Sequence, residues 1–312
     1  MIEQKTILIT GACGFVGTHL VQYLLRNQEF DKIVVCCRDK KIATTIFKRD
    51  KRLAFAESDL AKPLTYQTIF KTHNPNYIIH LAAIARFNQG EENPDATIKV
   101  NFFGTIELLK LAKQFKTKKV LVVSSNLARN PKGVTGISKY FTEVYIKKMQ
   151  PYPEVTCIRL PNVIDSPGAV TLLFKEQIRK GLPITITDKR MSRKFVTPSE
   201  ATHDLVFALL NGNHGDLFIN NKPSTPIIEL AKEMIYGSDK SIPIQLIGIR
   251  PGEKLQEEDY PQESIAPTSS LHLYRLTKEQ HRVTTLQKAL GLLTIKIRDN
   301  LTDKIKATFH LP

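Results

Sequence analysis

A short apolar run, Lys5 to Gly11 (KTILITG), ends at a glycine-rich turn and passes straight into residues 15–26 (FVGTHLVQYLLR), whose apolar side chains return at helical spacing. No other feature constrains the fold as much as this junction. An apolar run without polar alternation suits a strand buried on both faces, as in a parallel sheet. Val16, Leu20, Leu24 and Leu25 lie on or near one face of the following helix, as packing on that sheet requires. Between strand and helix, Thr10-Gly11-Ala12-Cys13-Gly14-Phe15-Val16-Gly17 has the spacing Gly-x-x-Gly-x-x-Gly. Such a turn lets the backbone approach a pyrophosphate closely, and the helix N-terminus adds free N–H groups and positive dipole. A glycine pattern alone is weak. With a strand before it and a helix after it, the pattern becomes specific, and a bare turn explains less.

Further apolar runs follow at 32–37 (KIVVCC), 76–80 (NYIIH) and 119–124 (KVLVVS), with helices expected near 93–115 and over 136–149. Strands alternating with helices predict an α/β chain with a Rossmann-like, doubly wound parallel sheet. Beyond about residue 160 the pattern loosens and prolines 161, 167, 183 and 198 appear. Helices are expected there at 168–180, 198–211, 225–236 and 275–290. We therefore expect a Rossmann domain over 1–160 and a smaller α/β lobe over 161–312, interleaved with the first.

The second strand ends in Cys37-Arg38-Asp39-Lys40. Asp39 lies 22 residues beyond Gly17 (39 − 17), near the roughly 20 expected of a ribose-binding acid in an NAD site. Arg38 instead suits a 2′-phosphate, because a guanidinium grips phosphate bidentately. NADP is therefore the expected cofactor and NAD the alternative; the plainer role is a surface arginine pairing with Asp39. Asp59, before Leu60, stands where a loop can meet an adenine, or where an N-cap can begin a helix.

The net charge of +15 raises the question of a nucleic-acid or membrane-surface partner. The lysines are scattered, and the clusters at 48–52 and 189–194 carry no interleaved aromatics. We expect a solvated surface and a basic pocket for a phosphate-rich small ligand, with no nucleic acid. No apolar run reaches the roughly 18 residues of a membrane span. The N-terminus enters a strand without a signal-peptide pattern, so the expected compartment is the cytoplasm. The four cysteines, 13, 36, 37 and 157, contain no Cys-x-x-Cys pair. A metal site is therefore not expected, and buried thiols in a reducing compartment are. Cys36 and Cys37 should point to opposite faces of their strand.

Ser124 to Lys139 (SSNLARNPKGVTGISK) keeps the spacing of a Tyr-x-x-x-Lys pair, with Thr135 in the tyrosine position. Together with the glycine turn, this segment resembles the extended short-chain dehydrogenase family. More narrowly, the chain resembles the UDP-N-acetylglucosamine 4,6-dehydratases of capsule and flagellin-glycan synthesis. The resemblance runs over roughly residues 5–260. It is carried by Asn162 to Asp188, by Arg190-Met191-Ser192-Arg193-Lys194-Phe195 and by Gly248-Ile249-Arg250-Pro251-Gly252-Glu253-Lys254-Leu255. Asn93-Pro94 and Asn101 to Thr105 also fit. It implies that Asn162, Arg193, Arg250 and Glu253 hold the UDP part of a nucleotide sugar, which makes 161–312 a nucleotide-sugar lobe. Two arginines suit a pyrophosphate, and a carboxylate suits ribose hydroxyls. The bland alternative is an Arg250–Glu253 surface ion pair beside a Pro-Gly turn. The resemblance further implies cofactor contacts at Gly11, Gly14, Phe15, Val16, Gly17, Arg38, Asp39, Asp59, Leu60, Ala82, Ala83, Asn101 and Lys139. It also implies a homo-oligomer assembled through helices that flank the sheet. The resemblance leads us to expect the family's short kind, without the membrane region of the long members.

The departures fall on the chemistry. The family's reaction takes hydride from sugar C4, removes water across C5 and C6 and returns hydride to C6, so it needs several positioned acids and bases. Where the family has Ser-Thr-Asp-Lys, this chain has Ser124-Ser125-Asn126-Leu127. Thr135 replaces tyrosine or methionine, and Ala85 replaces a common lysine. Ser125, Asn126, Thr135 and Lys139 are thus the candidate catalytic positions. Ser125 can hydrogen-bond a sugar hydroxyl, and Lys139 the nicotinamide ribose. An amide at 126 cannot exchange a proton near neutral pH, and Leu127 has none. Three readings follow: a UDP-sugar dehydratase, an epimerase or ketoreductase with simpler needs, or a protein that binds NADP and a UDP-sugar without turnover. His80 reads as a packed histidine, and Tyr140 points about 100° away from Lys139 around its helix. Arg86 and Lys132 are expected near the sugar.

Overall fold

The computed structural model describes residues 4–48, 50–249, 253–257, 260–277 and 283–311. The first half alternates strand and helix: β1 (Thr6–Thr10), α1 (Phe15–Arg26), β2 (Lys32–Cys37), α2 (Lys40–Ile46), β3 (Leu53–Glu57), α3 (Pro63–His73), β4 (Tyr77–His80), α4 (Phe87–Glu92), α5 (Pro94–Ile98), α6 (Gly104–Gln114), β5 (Lys119–Ser125), α7 (Val134–Lys148) and β6 (Glu154–Leu160). A π-helical turn, Lys99–Phe103, joins α5 to α6, so the single helix expected near 93–115 is three pieces. The second half holds β7 (Asn162–Val163), α8 (Val170–Lys180), β8 (Ile184–Ile186), β9 (Ser192–Arg193), β10 (Phe195–Val196), α9 (Pro198–Asn211), β11 (Leu217–Asn220), β12 (Thr225–Pro226), α10 (Ile227–Tyr236), β13 (Ile244–Leu246), β14 (Ile265–Pro267), β15 (Leu273–Leu276), α11 (Val283–Thr294) and α12 (Asp299–Phe309).

Nine strands form one sheet in the order β14-β15-β11-β6-β5-β4-β1-β2-β3. From β1 the chain runs outward through β2 and β3, then crosses back to β4 and continues the other way. The reversal between β1 and β4 is the switch point at which doubly wound sheets open a binding crevice. Strands β3 to β11 of this order run parallel, while β15 and β14 close one edge antiparallel. Both faces are buried, which explains the unbroken apolar runs. Ile7 and Ile9 pack with Leu20, Leu24 and Leu205 on one face. Leu8 packs with Phe70, Leu108 and Leu109 on the other.

The residues of 161–312 serve two bodies. Strands β11, β14 and β15 extend the main sheet. Short pairs β10–β7, β12–β9 and β13–β8 build the smaller lobe around Phe174, Ile178, Ile184 and Met191. The expected helix over 275–290 is corrected: Leu273–Leu276 is a strand paired antiparallel with both β11 and β14, and the described helix starts at Val283. Helices α11 and α12 cover α7. Their Leu290, Leu293, Ile305 and Phe309 pack on Phe102, Phe141 and Val144.

Cys36 and Cys37 do face opposite sides of the sheet. The expectation of four free thiols is corrected, because Cys13 and Cys37 are joined by a disulfide with Cα atoms 5.8 Å apart. The cause is register: Thr10 of β1 pairs with Cys36 of β2, which sets the glycine turn beside the end of β2. Cys36 and Cys157 are free and buried.

Candidate functional site

The glycine turn fits a dinucleotide pyrophosphate. Gly11 has φ +68°, and a Cβ there would stand 2.8 Å from the Ala82 nitrogen. A Cβ on Gly17 would lie 2.3 Å from the Gly11 carbonyl oxygen, so only glycine lets α1 sit this close to the turn. Gly14 is the exposed N-cap of α1, and no side chain caps the helix. The first-turn amides and the dipole are therefore left to an anion. Phe15 and Val16 are half-buried in that first turn.

Behind the turn lies a relay of hydrogen bonds. The Ala82 N–H donates to Thr10 Oγ1 (3.1 Å), which is 2.7 Å from His80 Nδ1. His80 Nε2 is 2.9 Å from Thr105 Oγ1, whose hydroxyl donates to the Asn101 carbonyl. This order assigns the proton to Nε2 and leaves Nδ1 as acceptor. Burial, and then the Lys139 charge, push His80 down to about 3, so it is a neutral packed side chain as expected. Asn101 sits on the π-helical turn and is spent on the scaffold. Its Oδ1 accepts from Ile84 N–H, and its Nδ2 donates to the Ile84 carbonyl and to Ser138 Oγ. It thereby fixes the Ala82–Ala83 loop against the turn and holds α7 in place.

At the far end of the crevice, Asp39 caps α2 by accepting from Lys41 N–H at 2.8 Å. Arg38 is exposed and forms no ion pair with Asp39 among the described residues. Asp59 accepts from Ala61 N–H and closes a turn; Lys62, not Asp59, is the N-cap of α3. Leu60 is buried against Gly104.

Ser125 ends β5, and its Oγ accepts from Leu127 N–H within a 3₁₀ turn, Asn126–Ala128. A Cβ on Gly136 would stand 2.4 Å from the Leu127 carbonyl oxygen, which is how closely this turn rests on α7. Lys139 is buried in α7, and its ammonium donates to the Val123 carbonyl at 2.7 Å. Burial lowers its pKa to about 8, against the opposing pull of Cys157 and Glu143. Thr135, one turn earlier, is buried, and its Oγ1 has no hydrogen-bond partner. It faces α4: a Cβ on Gly90 would lie 2.2 Å from that oxygen. The Thr135 hydroxyl is thus walled against a helix. Tyr140 is buried in the cluster beneath α11 and α12. Arg86 and Lys132 are exposed, Arg86 beside Gly168.

The UDP-side candidates meet along one strap, residues 253–257. Arg193 donates to the carbonyls of Lys254 (2.8 Å) and Leu255 (3.1 Å) and lies 3.9 Å from the Glu253 carboxylate. Asn162 Nδ2 donates to Glu257 Oε1 at 2.9 Å, and Asn126 Nδ2 donates to Glu257 Oε2 at 2.7 Å. Asn162, Arg193 and Glu253 are therefore brought together; Arg250 lies outside the described residues. Lys254 donates to the Arg129 carbonyl. Tyr260 anchors the end beyond the strap: its hydroxyl accepts from fully buried Arg159, and Arg129 stacks over its ring at 4.2 Å. Arg159 also pairs with buried Glu143 at 2.6 Å, and Ser124 Oγ donates to the same carboxylate.

Sequence reasoning did not single out Glu257 or this buried pair. Two signals were present: an acidic run, Glu257-Glu258-Asp259, in a basic chain, and an arginine inside the apolar strand EVTCIRL. Among the described residues no group of His, Cys, Asp and Glu is placed to hold a metal ion. No described helix is long and apolar enough to cross a membrane.

Comparison with known proteins agrees with this geometry. A family profile described as polysaccharide biosynthesis protein matches residues 7–278. The chain is 30% identical over 269 residues to the probable polysaccharide biosynthesis protein EpsC of Bacillus subtilis, a match covering 82% of this chain and 45% of that protein. It thus spans less than half of that relative's length. It is 31% identical over 287 residues to a UDP-glucose 4-epimerase of Rickettsia rickettsii, covering 88% of this chain and 83% of the relative. The X-ray structure of Pen from Bacillus thuringiensis superposes with a TM-score of 0.80 at 27% identity, over 88% of this chain and 89% of Pen. The Thermus thermophilus UDP-glucose 4-epimerase in complex with NAD superposes at 0.71 with 21% identity, over 83% and 91%, a likeness of fold.

Proposed function

The chain belongs to the polysaccharide biosynthesis protein family of extended short-chain dehydrogenases, and on that premise we propose that it is an NAD(P)-dependent enzyme that modifies the sugar of a UDP-sugar. The observation that carries this reading is the Asn126–Glu257–Asn162 contact. It joins the segment that follows β5, on the cofactor side, to the strap that gathers Arg193 and Glu253. That contact supports reading the crevice at the β1–β4 switch point and the nucleotide-sugar residues as one site.

When bound, the nicotinamide supplies a hydride acceptor. The residues of the chain do the rest. The turn at Gly11, Gly14 and Gly17 cradles the pyrophosphate. Arg38 is exposed and Asp39 is partly spent on a helix cap, which supports a 2′-phosphate and hence NADP, with NAD second. Lys139 holds ribose hydroxyls from within α7. Arg193, with Arg250 by family resemblance, takes the diphosphate, and Glu253 the uridine ribose.

The sugar chemistry assigned is oxidation of a hydroxyl-bearing carbon to a ketone, as in epimerase or ketoreductase action. UDP-N-acetylglucosamine is the first candidate substrate by resemblance. Dehydration across C5 and C6 needs a further acid–base pair, and neither Asn126 nor Leu127 supplies it. The walled-off Thr135 hydroxyl favours a second reading, a protein that binds both ligands without turnover. Incubation with NADP or NAD and a panel of UDP-sugars, read by mass spectrometry and NMR, separates these. An isomer of unchanged mass or a keto sugar is the expected product. A product lacking one water would establish the dehydratase, and unchanged sugar beside measurable binding would establish the second reading.

A further inference from the structure

The family resemblance leaves the site without a proton carrier after β5, and the geometry around Asn126 shows where one comes from. We propose that Glu257 is the acid–base residue of this site, a carboxylate delivered by the strap to a corner where Ser125 and Asn126 offer only a hydroxyl and an amide. The proposal rests on the reading of the site as one that oxidises a UDP-sugar.

Asn126 and Asn162 hold the carboxylate from two sides, one N–H to each oxygen, at 2.7 and 2.9 Å. Neither amide can take the proton, so both orient the carboxylate without competing for its task. Each carboxylate oxygen keeps a lone pair for another donor. The Asn126 Oδ1, buried and without a hydrogen-bond partner, offers a second acceptor at the same corner. An orphaned acceptor of this kind calls for a donor that arrives with a ligand. A sugar hydroxyl set between Asn126 Oδ1 and Glu257 would satisfy it.

The other proton-exchanging groups of α7 and the strap are committed elsewhere. Lys139 points its ammonium into the Val123 carbonyl. Thr135 faces Gly90. Glu143 is buried under Arg159 and Ser124. Glu253 sits by Arg193, four residues before Glu257 in the strap (257 − 253). Glu257 is half-buried and so reachable from the crevice. In the step assigned to it, the sugar O–H bond breaks and its proton passes to Glu257. The oxidised nicotinamide, when bound, would accept the hydride that leaves the hydroxyl-bearing carbon as its carbon–oxygen double bond forms. The reverse step returns the proton from the carboxylic acid as hydride comes back.

The test compares wild type with Glu257→Gln and Glu257→Asp. Binding of NADP and of UDP-N-acetylglucosamine is measured by calorimetry, folding by thermal melting, and the single-turnover rate by absorbance of the reduced nicotinamide. The expected result is a rate loss of at least about 100-fold in Glu257→Gln, the low end for a positioned acid or base. Both affinities and the melting temperature should stay within about twofold and a few degrees of wild type. Glu257→Asp should recover part of the rate. An unchanged rate in Glu257→Gln overturns the proposal, as does a loss that follows weakened binding or unfolding in both variants. Wild type that binds both ligands yet never reduces the nicotinamide also overturns it. Wild type that binds neither ligand overturns the proposed function itself, a separate outcome.

Discussion

Lys139 carries a charge in a place that resists it, and that conflict can be read from pH. Its folded pKa is about 8, below the ordinary lysine value of 10.5. Below pH 8 the folded chain bears the full cost of a buried ammonium. Between pH 8 and 10.5 the unfolded chain binds a proton that the folded chain has released, so stability rises with pH through that window. Wild type is therefore expected to gain stability relative to Lys139→Met between pH 8 and 10.5, by urea unfolding at each pH; a flat difference would contradict the burial argument. Thr135 makes a second residue-scale case. Its hydroxyl is buried without a partner, so Thr135→Val should leave the melting temperature unchanged or raise it, by about 1 kcal/mol of stability at most. The turnover rate should not change; a loss of turnover in this variant would restore Thr135 as a proton carrier. The Thr135 and Lys139 positions were legible because a four-residue spacing on a helix puts both on one face. Glu257 was not, since its partner Asn126 lies 131 residues away and nothing local links them.

At the scale of elements, the β5–α7 unit is held by a buried ion pair that no periodicity reveals. Arg159 of β6 and Glu143 of α7 meet at 2.6 Å with almost no solvent, and Tyr260 ties the strap to the same arginine. Removing one partner leaves an uncompensated charge, so Arg159→Leu should cost about 3–5 kcal/mol in chemical denaturation. The double change Glu143→Leu with Arg159→Leu should cost distinctly less than the two single changes summed; strict additivity would show that the two side chains act independently. The same limits govern what the sequence revealed about elements. Strands β1, β2, β4 and β5 were legible as unbroken apolar runs because each is buried on both faces. Strand β3 (LAFAE) is short and only partly buried, and it was not picked out. The end of β15 was read as the start of a helix, because Leu273–Leu276 is a four-residue strand held between β14 and β11, the latter distant in sequence.

Over the whole molecule, a sheet buried on both faces opens a crevice at its β1–β4 switch point, a small lobe has its own core and two helices cover α7. The doubly wound sheet was legible from alternating runs and from the glycine turn. That α11 and α12 cover α7 was not, because helical spacing shows that a face is apolar without showing what it will cover. Part of the basic surface is neutralised locally in solvated ion pairs such as Lys110–Glu107, Arg179–Glu176 and Lys232–Glu229. The central claim is that this crevice takes a nicotinamide dinucleotide and a UDP-sugar side by side. The most direct measurement is calorimetric titration of the protein with UDP-N-acetylglucosamine, free and saturated with NADP, then with NAD. The account predicts a saturable one-to-one heat for each ligand, tighter for NADP than for NAD, and UDP-sugar binding that persists when the cofactor is bound. Absence of heat with either nucleotide, or displacement of the cofactor by the UDP-sugar, would contradict it.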